Sequence, residues 1–146
     1  MEKFTTNNFQ ETQVAGHNLA GKILAAGPQK TAVVLGLKGE LGAGKTTFLQ
    51  GFAKGLGIKE VINSPTFVIM KRFMIYDLRF KNFYHFDCYR VNDPEEMLPL
   101  GFKEIISNPE NIVAIEWPEK IAGLLPKNVV PTTFSHMSEQ RREILF

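Results

Sequence analysis

Gly39-Glu-Leu-Gly-Ala-Gly-Lys-Thr46, GELGAGKT, is the stretch that decides how this chain is read. It spells glycine, four residues, then Gly-Lys-Thr, the spacing of a phosphate-binding loop. Phosphate oxygens are held by converging backbone N–H groups, and glycine lets the main chain bend around them without a Cβ clash. Lys45 would bring a point charge to the β- and γ-phosphates. Thr46 would offer a hydroxyl to magnesium. A helix starting here would aim its positive dipole end at the anion.

The flanks fit the loop. Thr31-Ala-Val-Val-Leu-Gly-Leu37 is apolar and β-branched, as a buried strand requires. After the loop, Phe48, Leu49, Phe52, Ala53 and Leu56 recur at helical spacing, and Gly57 stands where a helix would stop. A chance match to the motif in a chain this long arises about once in 200 sequences. A glycine-rich turn that holds nothing would not also carry the strand before it and the helix after it.

With 146 residues the chain is long enough for one domain with a core and too short for two ordinary ones, so residues 1–146 are expected to form a single domain. No apolar stretch is long enough to span a membrane, and MEKFTTNNFQET lacks the apolar core of a signal peptide. Cys88 is the sole cysteine, which excludes an intrachain disulfide and suits a reducing, cytoplasmic location. It reads as a small buried hydrophobe. A net charge of +2, with no long Lys/Arg run, does not mark a dedicated nucleic-acid binder.

Working outward from the loop, a helix is expected from about Thr12, with Val14, Ala15, Leu19, Ala20, Ile23 and Leu24 on its apolar face and Gly27-Pro28 ending it. His17, on that helix, reads as a surface residue. Phe67 to Ile69 and Phe73 to Tyr76 look like strands with Lys71-Arg72 near them. Phe83-Tyr-His-Phe-Asp-Cys-Tyr-Arg90 should be extended, with His85, Asp87 and Tyr89 on one face and Phe86 and Cys88 on the other. Asn92 to Glu96 reads as a helix start, Lys103 to Ser107 as a short helix, and Asn111 to Ile115 as a buried strand. Segments near Thr132 to His136 and Arg142 to Phe146 are expected to pair as strands.

Three further positions carry candidate chemistry. Glu116 ends the Ile-Val-Ala-Ile strand, where an open α/β sheet places its ligands, and should face the same crevice as Gly39. A solvated strand-end acid is the alternative. Asp87 stands among Phe83, Tyr84, Phe86 and Tyr89, where a carboxylate is costly unless paired. Either magnesium or a structural pair with Arg90 would supply the opposite charge. Thr66, in Ser64-Pro-Thr-Phe67, could act from a switch-like loop or simply shape a turn.

Taken in order, GELGAGKTT, SPTF, HFDCYR and IEWPE resemble the TsaE (YjeE) family of small bacterial ATPases, over a span from about Thr12 to the last strand. The resemblance implies an α/β, three-layer P-loop NTPase-like fold with a mixed parallel and antiparallel central sheet. It implies ATP and magnesium as cofactors, and a part in threonylcarbamoylation of adenosine 37 in tRNAs reading codons that begin with A. The partners would be the transferase TsaD and its paralogue TsaB, with tRNA reached through the complex. By the same resemblance Gly42, Ala43, Gly44, Lys45, Thr46 and Thr47 would bind the nucleotide, joined by Thr12 and by Arg141 or Arg142. Thr46, Asp87 and Glu116 would serve the metal. Lys45, Asp87 and Glu116 would serve hydrolysis, and Ser64, Pro65 and Thr66 would form the switch loop. Glu40 and Cys88 depart from residues common in the family, and Lys71 to Lys81 is more basic than expected.

Two other activities fit a phosphate loop. A small-molecule kinase usually needs an arginine-bearing lid, whereas the arginines here are scattered. A module that binds ATP only to order itself would need Lys45 and neither acid.

Overall fold

The computed structural model describes residues 2–40, 42–63 and 68–146. The expected switch loop, Ser64, Pro65 and Thr66, lies outside these residues, as does Phe67. The described chain runs β1 (Lys3–Thr6), α1 (Phe9–Ala26), β2 (Val33–Lys38), α2 (Lys45–Gly55), β3 (Met70–Met74), β4 (Asn82–Asp87), a 3₁₀ segment (Pro94–Leu100), α3 (Phe102–Ser107), β5 (Asn111–Glu116), a second 3₁₀ segment (Pro118–Leu124), β6 (Val130–His136) and β7 (Arg142–Leu145).

The strands form one seven-stranded sheet in the order β1-β7-β6-β2-β5-β4-β3. β6, β2, β5 and β4 run parallel through its centre, and antiparallel pairings close both sides. This is the mixed α/β sheet expected from the sequence. β2 and β5 are buried along almost their whole length, because helices and 3₁₀ segments cover both faces.

Strand alternation sorts the side chains. Leu35, Leu37, Phe83, Ile112 and Ala114 pack with Phe48, Leu49 and Phe52 under α1 and α2. Val34, Phe86, Val113 and Ile115 pack with Met97, Phe102 and Ile121 on the opposite face. Cys88 is fully buried in this second cluster, as a small hydrophobe would be. The two long helices touch backbone to backbone. A Cβ added to Gly51 would lie 1.9 Å from the Gln13 carbonyl oxygen, and one added to Gly16 would lie 2.0 Å from that of Phe48. Small residues at the crossing therefore set how closely α1 approaches α2.

Several local expectations change. α1 starts three residues earlier than expected, because Asn8 caps it by accepting a hydrogen bond from the Glu11 N–H at 2.8 Å. Val14 is exposed and does not belong to the buried face, while His17 is on the surface as expected. Phe73 and Lys71-Arg72 fall in a single strand, β3, in continuous register with β4 from Met70↔Phe86 to Met74↔Asn82. β3 is an edge strand, and its exposed Lys71 and Arg72 suit an edge that must not pair further. The aromatic run stops being a strand at Asp87, whose Oδ1 accepts from the Tyr89 N–H at 3.0 Å and turns the chain. Tyr89 therefore leaves the face it was expected to share with His85 and Asp87. β1 and the 3₁₀ segment after Trp117 have no counterpart among the elements expected from the sequence.

Candidate nucleotide-binding site

The loop is shaped by glycine where other residues would be strained. Gly42 has φ 79° and Gly44 φ 100°, both in the left-handed region that L side chains rarely adopt. Gly44 also caps α2, so the helix begins at Lys45 and directs its positive end at the loop. Ala43 is buried, whereas Thr46 and Thr47 are half-buried in the first turn of α2.

Two distant parts of the chain close on Gly44. A Cβ there would lie 3.7 Å from Thr12 Cγ2 and 3.5 Å from Arg142 Cγ. Thr12 is buried in the first turns of α1, with its Oγ1 2.7 Å from Thr6 Oγ1 on β1. Arg142, also buried, donates from Nη1 to the carbonyls of Ser138, Glu139 and Arg141. Its Nε is buried and unpartnered among the described residues. Arg141 is exposed. The β6–β7 hairpin thus presents Arg142, rather than Arg141, to the loop.

Lys45 is buried, donates from Nζ to the Gly39 carbonyl at 2.5 Å, and stands 4.3 Å from the centroid of the Trp117 ring. Burial lowers its pKa, opposed by the negative charges of Glu116, Asp87 and Glu119. Trp117 has φ 58° and ψ 51°. It is the sole non-glycine residue with positive φ among the described residues. For a bulky residue preceding proline this is a double departure from preference, of order 1–3 kcal/mol. The turn aims the indole across the loop, and Tyr89 packs on it at 5.1 Å between ring centroids.

The two acids come together at the carboxyl ends of the central strands. Asp87 is paired in register with Glu116, and Glu116 with Leu37, two residues before Gly39. Strand alternation puts both carboxylates on the α2 face. Glu116 is buried, and its Oε2 lies 2.6 Å from Nε2 of the fully buried His85. Asp87 is half-buried, and its pKa is raised, first by burial, with repulsion from Glu116 adding to it. Arg90 is exposed and forms no ion pair with Asp87, so the structural pair weighed as an alternative is absent.

Among the described residues no group of three or more His, Cys, Asp or Glu side chains is placed to hold a metal ion. Two carboxylates and a threonine hydroxyl are oxygen donors, which fit a hard cation that keeps several waters and takes further ligands from phosphate. The mutual repulsion of Asp87 and Glu116 is what such a cation would relieve.

This geometry brings the glycine-rich loop and two acids together at the carboxyl ends of the central strands. A family model described as threonylcarbamoyl adenosine biosynthesis protein TsaE matches residues 6–144. The chain belongs to the TsaE family. It is 38% identical over 144 residues to the tRNA threonylcarbamoyladenosine biosynthesis protein TsaE of Bacillus subtilis, covering 99% of this chain and 84% of that one. The TsaE protein of Haemophilus influenzae is 36% identical over 110 residues, 75% of this chain and 67% of its own. A crystal structure of Bacillus YdiB superimposes with a TM-score of 0.75 at 32% identity, covering 98% of this chain and 82% of that one.

Three residues beside this candidate site carry no role in the sequence pattern alone. His85 was placed on the face of Asp87 without a role, although a histidine two positions before a strand-end acid is a visible signal. Trp117 is marked only as the residue before Pro118. Thr6 lay in a segment with no strand signature, and nothing in the sequence marks its bond to Thr12.

Proposed function

We propose that this chain is an ATPase, a single domain over residues 1–146, that binds ATP with magnesium and drives turnover of a tRNA-modifying complex. The reaction served is threonylcarbamoylation of adenosine 37 in tRNAs that read codons beginning with A. The reading rests on family membership; it includes TsaD and TsaB as the partners the resemblance implies, and a cytoplasmic location.

The observation that carries the hydrolytic part is the register of Asp87 with Glu116 beside the loop that holds Lys45. Gly42, Ala43, Gly44, Lys45, Thr46 and Thr47 would hold the phosphates. Thr12 and Arg142 would flank the nucleotide where they pack on Gly44. Thr46, Asp87 and Glu116 would hold magnesium, which supplies neutralisation of charge on the phosphate oxygens. Of the two acids, the buried Glu116 is suited to orient an attacking water, and Asp87 to stand nearer solvent and cation. Lys45 would exchange its bond to the Gly39 carbonyl for phosphate oxygens.

No arginine is assigned here to the transferring phosphate, and lack of such a charge can lower the rate by about 10³-fold or more. Hydrolysis is therefore slow in the isolated chain and faster with TsaD and TsaB. Phosphate release measured with and without the partners tests this. Equal rates in both conditions, or transfer of phosphate to a metabolite instead of water, would overturn it.

A further inference from the structure

We infer that His85 is a positioning residue for hydrolysis, one that fixes which oxygen of Glu116 faces the nucleotide. The inference rests on the ATPase reading above. His85 lies on β4, opposite Ala114 in the parallel register, and this small neighbour leaves room for the ring to reach along β5 toward Glu116. Its side chain is wholly buried, with Nε2 2.6 Å from Glu116 Oε2. A carboxylate oxygen accepts, so the geometry is that of a ring donating from Nε2–H to Glu116 Oε2, the arrangement the inference takes. Nδ1 is buried with no partner among the described residues. The ring therefore makes one hydrogen bond, and that bond ends on Glu116.

The consequence concerns Lys45. Glu116 is the first of the acids whose negative charge acts on the Lys45 ammonium. A Glu116 carboxylate paired with that ammonium would leave both groups occupied with each other, and the bond from His85 opposes this. His85 holds Oε2 and so limits how the Glu116 carboxylate can turn. Partners that orient a carboxylate in this way typically change activity 10–100-fold when removed. A histidine that merely fills space in the core would change stability and leave turnover per folded molecule unchanged.

The test uses the full chain with TsaD and TsaB, measuring ATP turnover and, separately, melting of the nucleotide-free chain. His85→Leu is expected to lower kcat about 10–100-fold while KM for ATP stays within about threefold. His85→Gln, whose amide N–H can take the place of Nε2–H, is expected to recover most of the turnover. In a Glu116→Gln background, His85→Leu should cost no further turnover, because His85 acts through Glu116. If His85→Leu does not fold, His85→Asn, whose shorter amide cannot reach Glu116, replaces it in the comparison with His85→Gln. Nitrogen NMR of the nucleotide-free wild type should show the Nε2–H tautomer.

Wild-type turnover that persists in His85→Leu overturns the role of His85 alone. So does an equal loss in the Glu116→Gln background, or the Nδ1–H tautomer. A wild type that releases no phosphate with its partners overturns the ATPase reading itself.

Discussion

The Lys45 ammonium sits 4.3 Å from the centre of the Trp117 ring, and Trp117 reaches that position through a left-handed backbone. A cation over an indole face gains about 0.5–2 kcal/mol according to its desolvation, which offsets part of the backbone strain. Trp117 is the sole tryptophan of the chain. Phosphate binding that draws Lys45 off the ring should therefore change tryptophan emission on ATP titration. Lys45→Ala should show no such change and should weaken ATP binding by about 100-fold, as loss of a charged hydrogen-bonding partner to phosphate implies. An identical emission change in wild type and variant would contradict the contact.

Asp87 should trade stability for function. Its raised pKa means that the folded chain holds the proton more tightly than the unfolded chain does. The folded chain then loses stability as pH rises from the usual carboxylate range through the raised value. Asp87→Asn removes that loss, so it should melt higher than wild type near neutral pH, by on the order of 2 °C. The gap should close toward pH 4, while ATP turnover is largely abolished. Melting curves at several pH values, set beside phosphate release, check both halves.

The helix crossing gives an opposed pair of outcomes. Gly51→Ala drives a methyl into the Gln13 carbonyl and should destabilise the chain by about 3 kcal/mol, on the order of 10 °C in Tm. Gly21 is exposed on α1, and a methyl added there would meet nothing within 4 Å, so Gly21→Ala should stabilise by about 0.5–1 kcal/mol. Chemical denaturation of both variants measures the difference.

Cys88 should be inert in the native chain. Burial pushes its thiol up to about 12, with the charges of Asp87 and Glu116 adding to the shift. A thiol reagent should label it only after denaturation, and rapid labelling of the native chain would show that the second core cluster opens readily.

What the sequence made legible follows from the range of the forces involved. The strand, loop and helix around Gly39 to Thr46 are local, so periodicity and glycine placement found them. Glu116 is conspicuous as an acid that ends an apolar run, and Asp87 as an acid set among aromatic residues. Their register across β4 and β5 is a tertiary fact that no single segment encodes. The same holds for Thr12 and Arg142 meeting at Gly44 from opposite ends of the chain. Trp117 defeated local rules outright, since the residue before a proline is expected to be extended. β1 was missed because four half-polar residues carry little pattern, and it exists by pairing with β7.

Under the proposed function, ATP use at this loop drives tRNA modification. The direct measurement is threonylcarbamoylation of tRNA by TsaD and TsaB under multiple-turnover conditions, with this chain omitted, added as wild type, or added as Lys45→Ala. Sustained modification is expected with wild type, and arrest after little or no product when the chain is absent or carries Lys45→Ala. Equal multiple-turnover rates in all three reactions would contradict it.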